Sequence, residues 1–86
     1  MNINNLIAIV KKKLEDEIVI EKIDIEDKSY LHKNHSGFQE GKFHLKLKIN
    51  STELKKLNQI DSNRRIFKIL DQEVKEYIHS LQILIN

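Results

Sequence analysis

The sequence predicts an α+β fold, a two-layer α/β sandwich with a three-stranded sheet and its helices on one face. Three observations carry that prediction. Apolar residues recur at helical spacing near the N-terminus and again after residue 61, a strict polar/apolar alternation runs from Phe43 to Ile49, and the chain has only 86 residues. A chain of this length buries roughly 60–65% of its unfolded surface and has room for one domain, here residues 1–86.

In residues 3–15, Leu6, Ile7, Ile9, Val10 and Leu14 form an apolar stripe, with Lys11, Lys12 and Lys13 beside it and Asn5 near the start. That pattern is an amphipathic helix. From Ile18 to Glu26 the chain is rich in β-branched residues, and Ile23 and Ile25 alternate with Lys22, Asp24 and Glu26, so a first strand fits the later half of the segment. Between Asp27 and Gly41 periodicity lapses and both glycines, Gly37 and Gly41, occur, which marks one long loop. Phe43, Leu45, Leu47 and Ile49 then alternate with His44, Lys46 and Lys48 as a strand with one buried and one solvated face.

Ser51 or Thr52 can cap a short helix carrying Leu54 and Leu57, and Asp61 or Ser62 a longer one reaching Tyr77. In the longer helix Ile66, Phe67, Leu70, Val74 and Tyr77 are read as the inward stripe, and Arg64, Arg65, Lys68, Glu73, Lys75 and Glu76 as the wet face. The run Ile78 to Ile85 is a third strand. The order is α-β-β-α-α-β.

Charged residues make up 33% of the chain and the formal net charge is +2, too near balance to demand a polyanionic partner. Cysteine is absent, so disulfides, thiolate ligands and thiol nucleophiles are excluded together. No basic leader with a cleavage site and no apolar run of membrane-spanning length is found, and a cytoplasmic protein without membrane contact is expected. Enzymatic activity is not expected either. The carboxylates fall on solvated faces, and neither a G-x-S-x-G elbow nor a G-x-x-x-x-G-K phosphate loop occurs.

Four histidines remain as candidates for chemistry. His32 and His35 fall in the loop, His44 on the polar side of a strand, where it reads as a surface residue, and His79 where the last helix gives way to the last strand. Strand parity groups His79 with Leu81 and Ile83, so periodicity alone makes it a partly buried histidine bonded to the helix end. Lys55, Lys56, Arg64 and Arg65 flank the turn between the later helices, where they either meet phosphates or form a solvated face. No aromatic residue is placed beside them to stack on bases.

Several stretches, taken in order, resemble the BolA family. They are Asp27-Lys28-Ser29 after the first strand, the histidine-bearing loop, and Phe43 opening an alternating strand. Leu54 follows, then Ser62-Asn63-Arg64-Arg65-Ile66-Phe67 with Leu70, which looks like the family's R-H-R-x-V-Y-x-x-L helix signature, and Ile78-His79-Ser80-Leu81, which looks like its V-H-A-L ending. The resemblance implies an α-β-β-α-α-β fold like the class II KH domain. It also implies a monothiol glutaredoxin partner and a [2Fe–2S] cluster shared with glutaredoxin cysteine and glutathione sulfur. By position His79 matches the family's C-terminal histidine ligand, with the second imidazole from His35 or His32. No cluster is then expected on the isolated chain, which would be a monomer or weak homodimer.

The function so implied is that of a non-enzymatic adaptor in iron–sulfur cluster assembly, trafficking or iron regulation. A KH-like or helix-turn-helix DNA-binding transcriptional regulator using Lys55, Lys56, Arg64 and Arg65 is the alternative, and a zinc site of His32, His35 and His79 a third reading. Three positions depart from the family pattern. Asn63 replaces the signature histidine, Lys42 a histidine before the strand phenylalanine, and Lys56 a glycine before the helices. Lacking that glycine, the turn cannot bring its backbone as close to a phosphate.

Overall fold

The structure, a computed structural model, describes residues 1–29 and 42–86. Its elements in chain order are α1 (Ile3–Glu17), β1 (Lys22–Asp27), β2 (Phe43–Asn50), α2 (Thr52–Lys55), α3 (Gln59–Ile69), α4 (Asp71–Glu76) and β3 (Ile78–Ile85). The strands form one mixed sheet in the order β1-β2-β3, with β1 antiparallel and β3 parallel to the central β2.

The alternation in β2 decides which face meets the helices. Leu45, Leu47 and Ile49 are buried and pair in register with Asp27, Ile25 and Ile23 on one side and Leu81, Ile83 and Ile85 on the other. Against this face pack Leu6, Val10 and Leu14 of α1, Leu54 of α2, Ile66 of α3 and Leu70. Burying one such side chain fully contributes roughly 1.5–3 kcal/mol, so this set supplies the main stabilisation of the fold. Asp24, Glu26, Lys46, Lys48 and Gln82 line the opposite face.

The caps are set by side chains close to the predicted ones. Asn2, rather than Asn5, caps α1 by accepting from Asn5 N. Ser51 caps α2, accepting from Leu54 N at 3.1 Å while donating to Val19 O at 2.7 Å, which satisfies a hydroxyl with no solvent exposure. Asn58 caps α3, so that helix starts before Asp61 and Ser62.

The long last helix is in fact two. At Leu70 the backbone turns to φ −97°, ψ 18°, and α3 ends where α4 begins. Neither glycine nor proline marks the break; Leu70 is fully buried and serves both helices as a hinge fixed by packing. The redirection changes two expected faces. Phe67 is 40% exposed rather than inward, and Glu73 is 4% exposed rather than wet. Its Oε2 is held at 2.7 Å by Lys13 Nζ of α1, an ion pair that ties α4 to the first helix. Among the described residues no helix is long and apolar enough to cross a membrane.

Candidate functional site

One end of the sheet gathers the unusual side chains, and the chain after β1 begins the construction. Asp27 Oδ1 accepts from Ser29 N at 2.9 Å, a local turn that Asp favours because its carboxylate reaches the backbone two residues on. That turn aims Ser29 at the start of β2. Ser29 Oγ accepts the His44 N–H at 3.0 Å, and Lys28 N donates to His44 O at 2.7 Å. Both backbone groups of His44 are thereby held by the Asp27-Lys28-Ser29 segment.

The other side of β2 is set by a β-bulge. Phe43 pairs with Ile78, but His44 pairs with Ser80, so His79 is one extra residue on β3. Phe43 N also donates to Tyr77 O at 2.8 Å, which anchors the strand to the end of α4. A bulge re-aims the inserted side chain and breaks strand parity. His79 therefore does not join Leu81 and Ile83 against the core; it is exposed, contrary to the partly buried position that parity predicts.

His44 corrects a second expectation. It is 4% exposed, and its ring meets two residues of β3: Nδ1 is 2.6 Å from Ser80 Oγ, and the ring centroid is 4.9 Å from that of His79 at an interplanar angle of 54°. Sequence reasoning missed this residue. A polar residue on the solvated side of a central strand carries no local signal of burial, and only the bulge brings two imidazoles together. The nearest clue was its position next to Phe43, opposite the family-like Ile78-His79-Ser80-Leu81.

Nearby charges are paired. Glu26 contacts Lys48 at 2.9 Å and Lys28 at 3.1 Å, and the hydrogen bond from Lys48, then that from Lys28, hold its carboxyl below the usual carboxylate range. His32 and His35 lie outside the described residues, but the described ends of their segment, Ser29 and Lys42, both sit at this end of the sheet through Ser29's bond to His44 and Lys42's place before Phe43. Among the described residues no three His, Cys, Asp or Glu side chains converge on a metal position.

The basic residues lie elsewhere. Lys55, Lys56 and Arg64 are exposed around α2 and α3. Arg65 is engaged within the fold, its guanidinium 2.8 Å from Glu53 Oε2 and donating at 2.9 Å to Glu17 O at the end of α1. The structure does not bring these residues together with His79; Lys55 lines a groove with Ile83, Leu84 and Ile85, at the far end of β3.

A family model described as BolA-like protein matches residues 14–86. The chain belongs to the BolA family. Its similarities extend to the BolA domain of SufE1 from Arabidopsis thaliana, a solved structure matched with a TM-score of 0.79 and 27% identity over 100% of this chain and 93% of that one. BolA1 from the same plant gives a TM-score of 0.78 at 27% identity, covering 94% of this chain and 89% of that one. Among curated relatives, the DNA-binding transcriptional regulator BolA of Haemophilus influenzae is 28% identical over 75 residues, 87% of this chain and 70% of its own length. The SufE-like protein 1 of Arabidopsis thaliana is 29% identical over 80 residues, 87% of this chain but 22% of the relative's length. The BolA-like chain thus matches one part of that larger protein.

Proposed function

We propose that this BolA-like protein is a non-enzymatic adaptor that pairs with a monothiol glutaredoxin and contributes histidine to a shared [2Fe–2S] cluster, in iron–sulfur cluster assembly, trafficking or iron regulation. The single observation that carries the reading is the bulge at His79, which turns an imidazole out of the core at the end of the sheet where the histidine-bearing segment departs. A residue in that position is available to a partner without any core rearrangement.

The donor set fits a shared cluster. The chain contains no cysteine, and in this reading the sulfur would come from the glutaredoxin and from glutathione, while His79 with His35 or His32 would hold the remaining iron positions. When bound, such a cluster supplies iron that can be transferred to an acceptor, and imidazole in place of thiolate alters its potential and lability. The protein's own contribution is orientation. Ser29 and Ser80 hold His44, and His44 packs against His79, limiting the directions its ring can take.

Mixing the chain with a cluster-loaded monothiol glutaredoxin tests the reading. A heterodimer with a changed visible circular dichroism spectrum is expected, and His79→Ala should abolish the change while leaving the far-ultraviolet spectrum intact. An unchanged visible spectrum with the wild-type chain would overturn it.

A second reading, a DNA-binding transcriptional regulator, is favoured by the name of the Haemophilus influenzae relative and by the exposure of Lys55, Lys56 and Arg64. Arg65 argues against it, since its guanidinium already serves Glu53 and Glu17. Duplex DNA that shifts this chain at low salt, with affinity falling steeply as salt rises, would support that reading.

A further inference from the structure

The far end of β3 carries a second feature that the histidine site does not use. Asn86 turns both backbone groups toward β2, its N–H donating to Ile49 O at 2.8 Å and its C=O accepting from Ser51 N at 3.4 Å. Alternation along a strand then turns the N–H and C=O of Leu81, Ile83 and Ile85 the other way. Among the described residues β3 is the outer strand of the sheet on that side. A row of backbone donors and acceptors is thus presented along its edge.

Beside that edge runs a groove of about 380 Å³ between β3 and the α2–α3 turn. Its walls include Leu54, Leu57, Ile83 and Leu84, of which Leu57 is 38% and Leu84 41% exposed. Lys55 is the charged residue that lines the groove; Lys56 follows it in an exposed position, and on α3 Arg64 and Asp61 are both exposed next to lining residues, which leaves the balance of charge there positive. The arrangement offers ladder hydrogen bonds, an apolar trough and a positive rim.

We propose that this groove binds an extended acidic segment of a partner protein, which adds as a fourth strand to β3 with apolar side chains in the trough and carboxylates at the rim. The positive rim selects among occupants. The β3 of a second copy, which has no Asp or Glu from Ile78 to Ile85, would bring no carboxylate to that rim. A nucleic acid would find the positive charge but no aromatic lining residue to stack on, and its bases would not use an edge of alternating N–H and C=O groups. His79 precedes Leu81 on β3, so a strand added along Leu81, Ile83 and Ile85 ends short of the bulge.

Fluorescence anisotropy with a short labelled peptide of mixed valine and glutamate tests the proposal against its lysine counterpart and a single-stranded oligonucleotide. The acidic peptide is expected to bind and the lysine peptide not to. The double variant Lys55→Glu, Lys56→Glu should weaken binding about tenfold, and Leu57→Ser should weaken it without changing the far-ultraviolet spectrum. Slowed amide exchange at Leu81, Ile83 and Ile85 on adding the peptide would support strand addition. Binding of the oligonucleotide with none of the acidic peptide, no binding of either peptide, or peptide-independent protection of the same amides that grows with protein concentration would each overturn it.

Discussion

Along β1, the outer strand on one side of the sheet among the described residues, Lys22, Asp24, Glu26 and Asp27 place a charge at most positions, and Glu26 pairs with Lys28 and Lys48. Along β3, the outer strand on the other side, no Lys, Arg, Asp or Glu occurs from Ile78 to Ile85. Charges on an edge strand discourage addition of a further strand, and a bulge interrupts it. Among the described residues β1 is guarded along its length, whereas β3 is interrupted at His79 and carries no charged residue beyond it. The difference marks β3 as the edge with fewer barriers to a further strand. Both proposed interactions use β3, one at the bulge and one along the unguarded half.

The largest effect expected from testing this contrast is at the bulge. His44→Ala removes a nearly buried ring and its bond to Ser80, and should cost about 2–3 kcal/mol in urea denaturation. Amide exchange should accelerate at residues 43–45 and 78–81 more than along β1; equal acceleration at both edges would break the comparison. A smaller loss, about 1–2 kcal/mol, is expected for Ser29→Ala, which deprives the His44 N–H of its acceptor. That variant should also broaden the His79 ring signals in nuclear magnetic resonance, because His44 would no longer be fixed beside it.

The smallest effect belongs to the guarded edge. The Lys48 and Lys28 partners depress the folded-state pKa of Glu26, so its contribution to stability is present above the ordinary carboxylate value and is lost as pH falls through the depressed one. Glu26→Gln should therefore lower the denaturation midpoint slightly at neutral pH and leave it unchanged in strong acid. A difference that persists in acid would mean that the residue acts through packing and not through charge.

Legibility differed between these regions for physical reasons. The strict alternation of Phe43 to Ile49 sufficed for β2, because a strand with one wet face has a period that few other structures share. The leucines and valine of α1 were equally plain. The break at Leu70 was not, since no local residue requires it and the apolar spacing continues through it. Glu73 and Phe67 exchanged their expected environments as a consequence. At the site, His79 was singled out by resemblance, but parity put it on the wrong face, and His44 was passed over.

By itself the sequence determined the element order apart from the break at Leu70, the inward faces of α1 and β2, the absence of a thiol ligand, and the BolA-like motifs that nominate His79. The first three are properties of periodicity and composition, which act locally or by enumeration; the last rests on resemblance to the family. Only the tertiary structure decided the bulge, the burial of His44 against Ser80 and His79, the capture of Arg65 by Glu17 and Glu53, and the contrast between the two sheet edges. Each of these depends on the register between residues far apart in the chain. Inserting one residue in that register at His79 redirects a side chain from the core to the surface, and no local pattern records it.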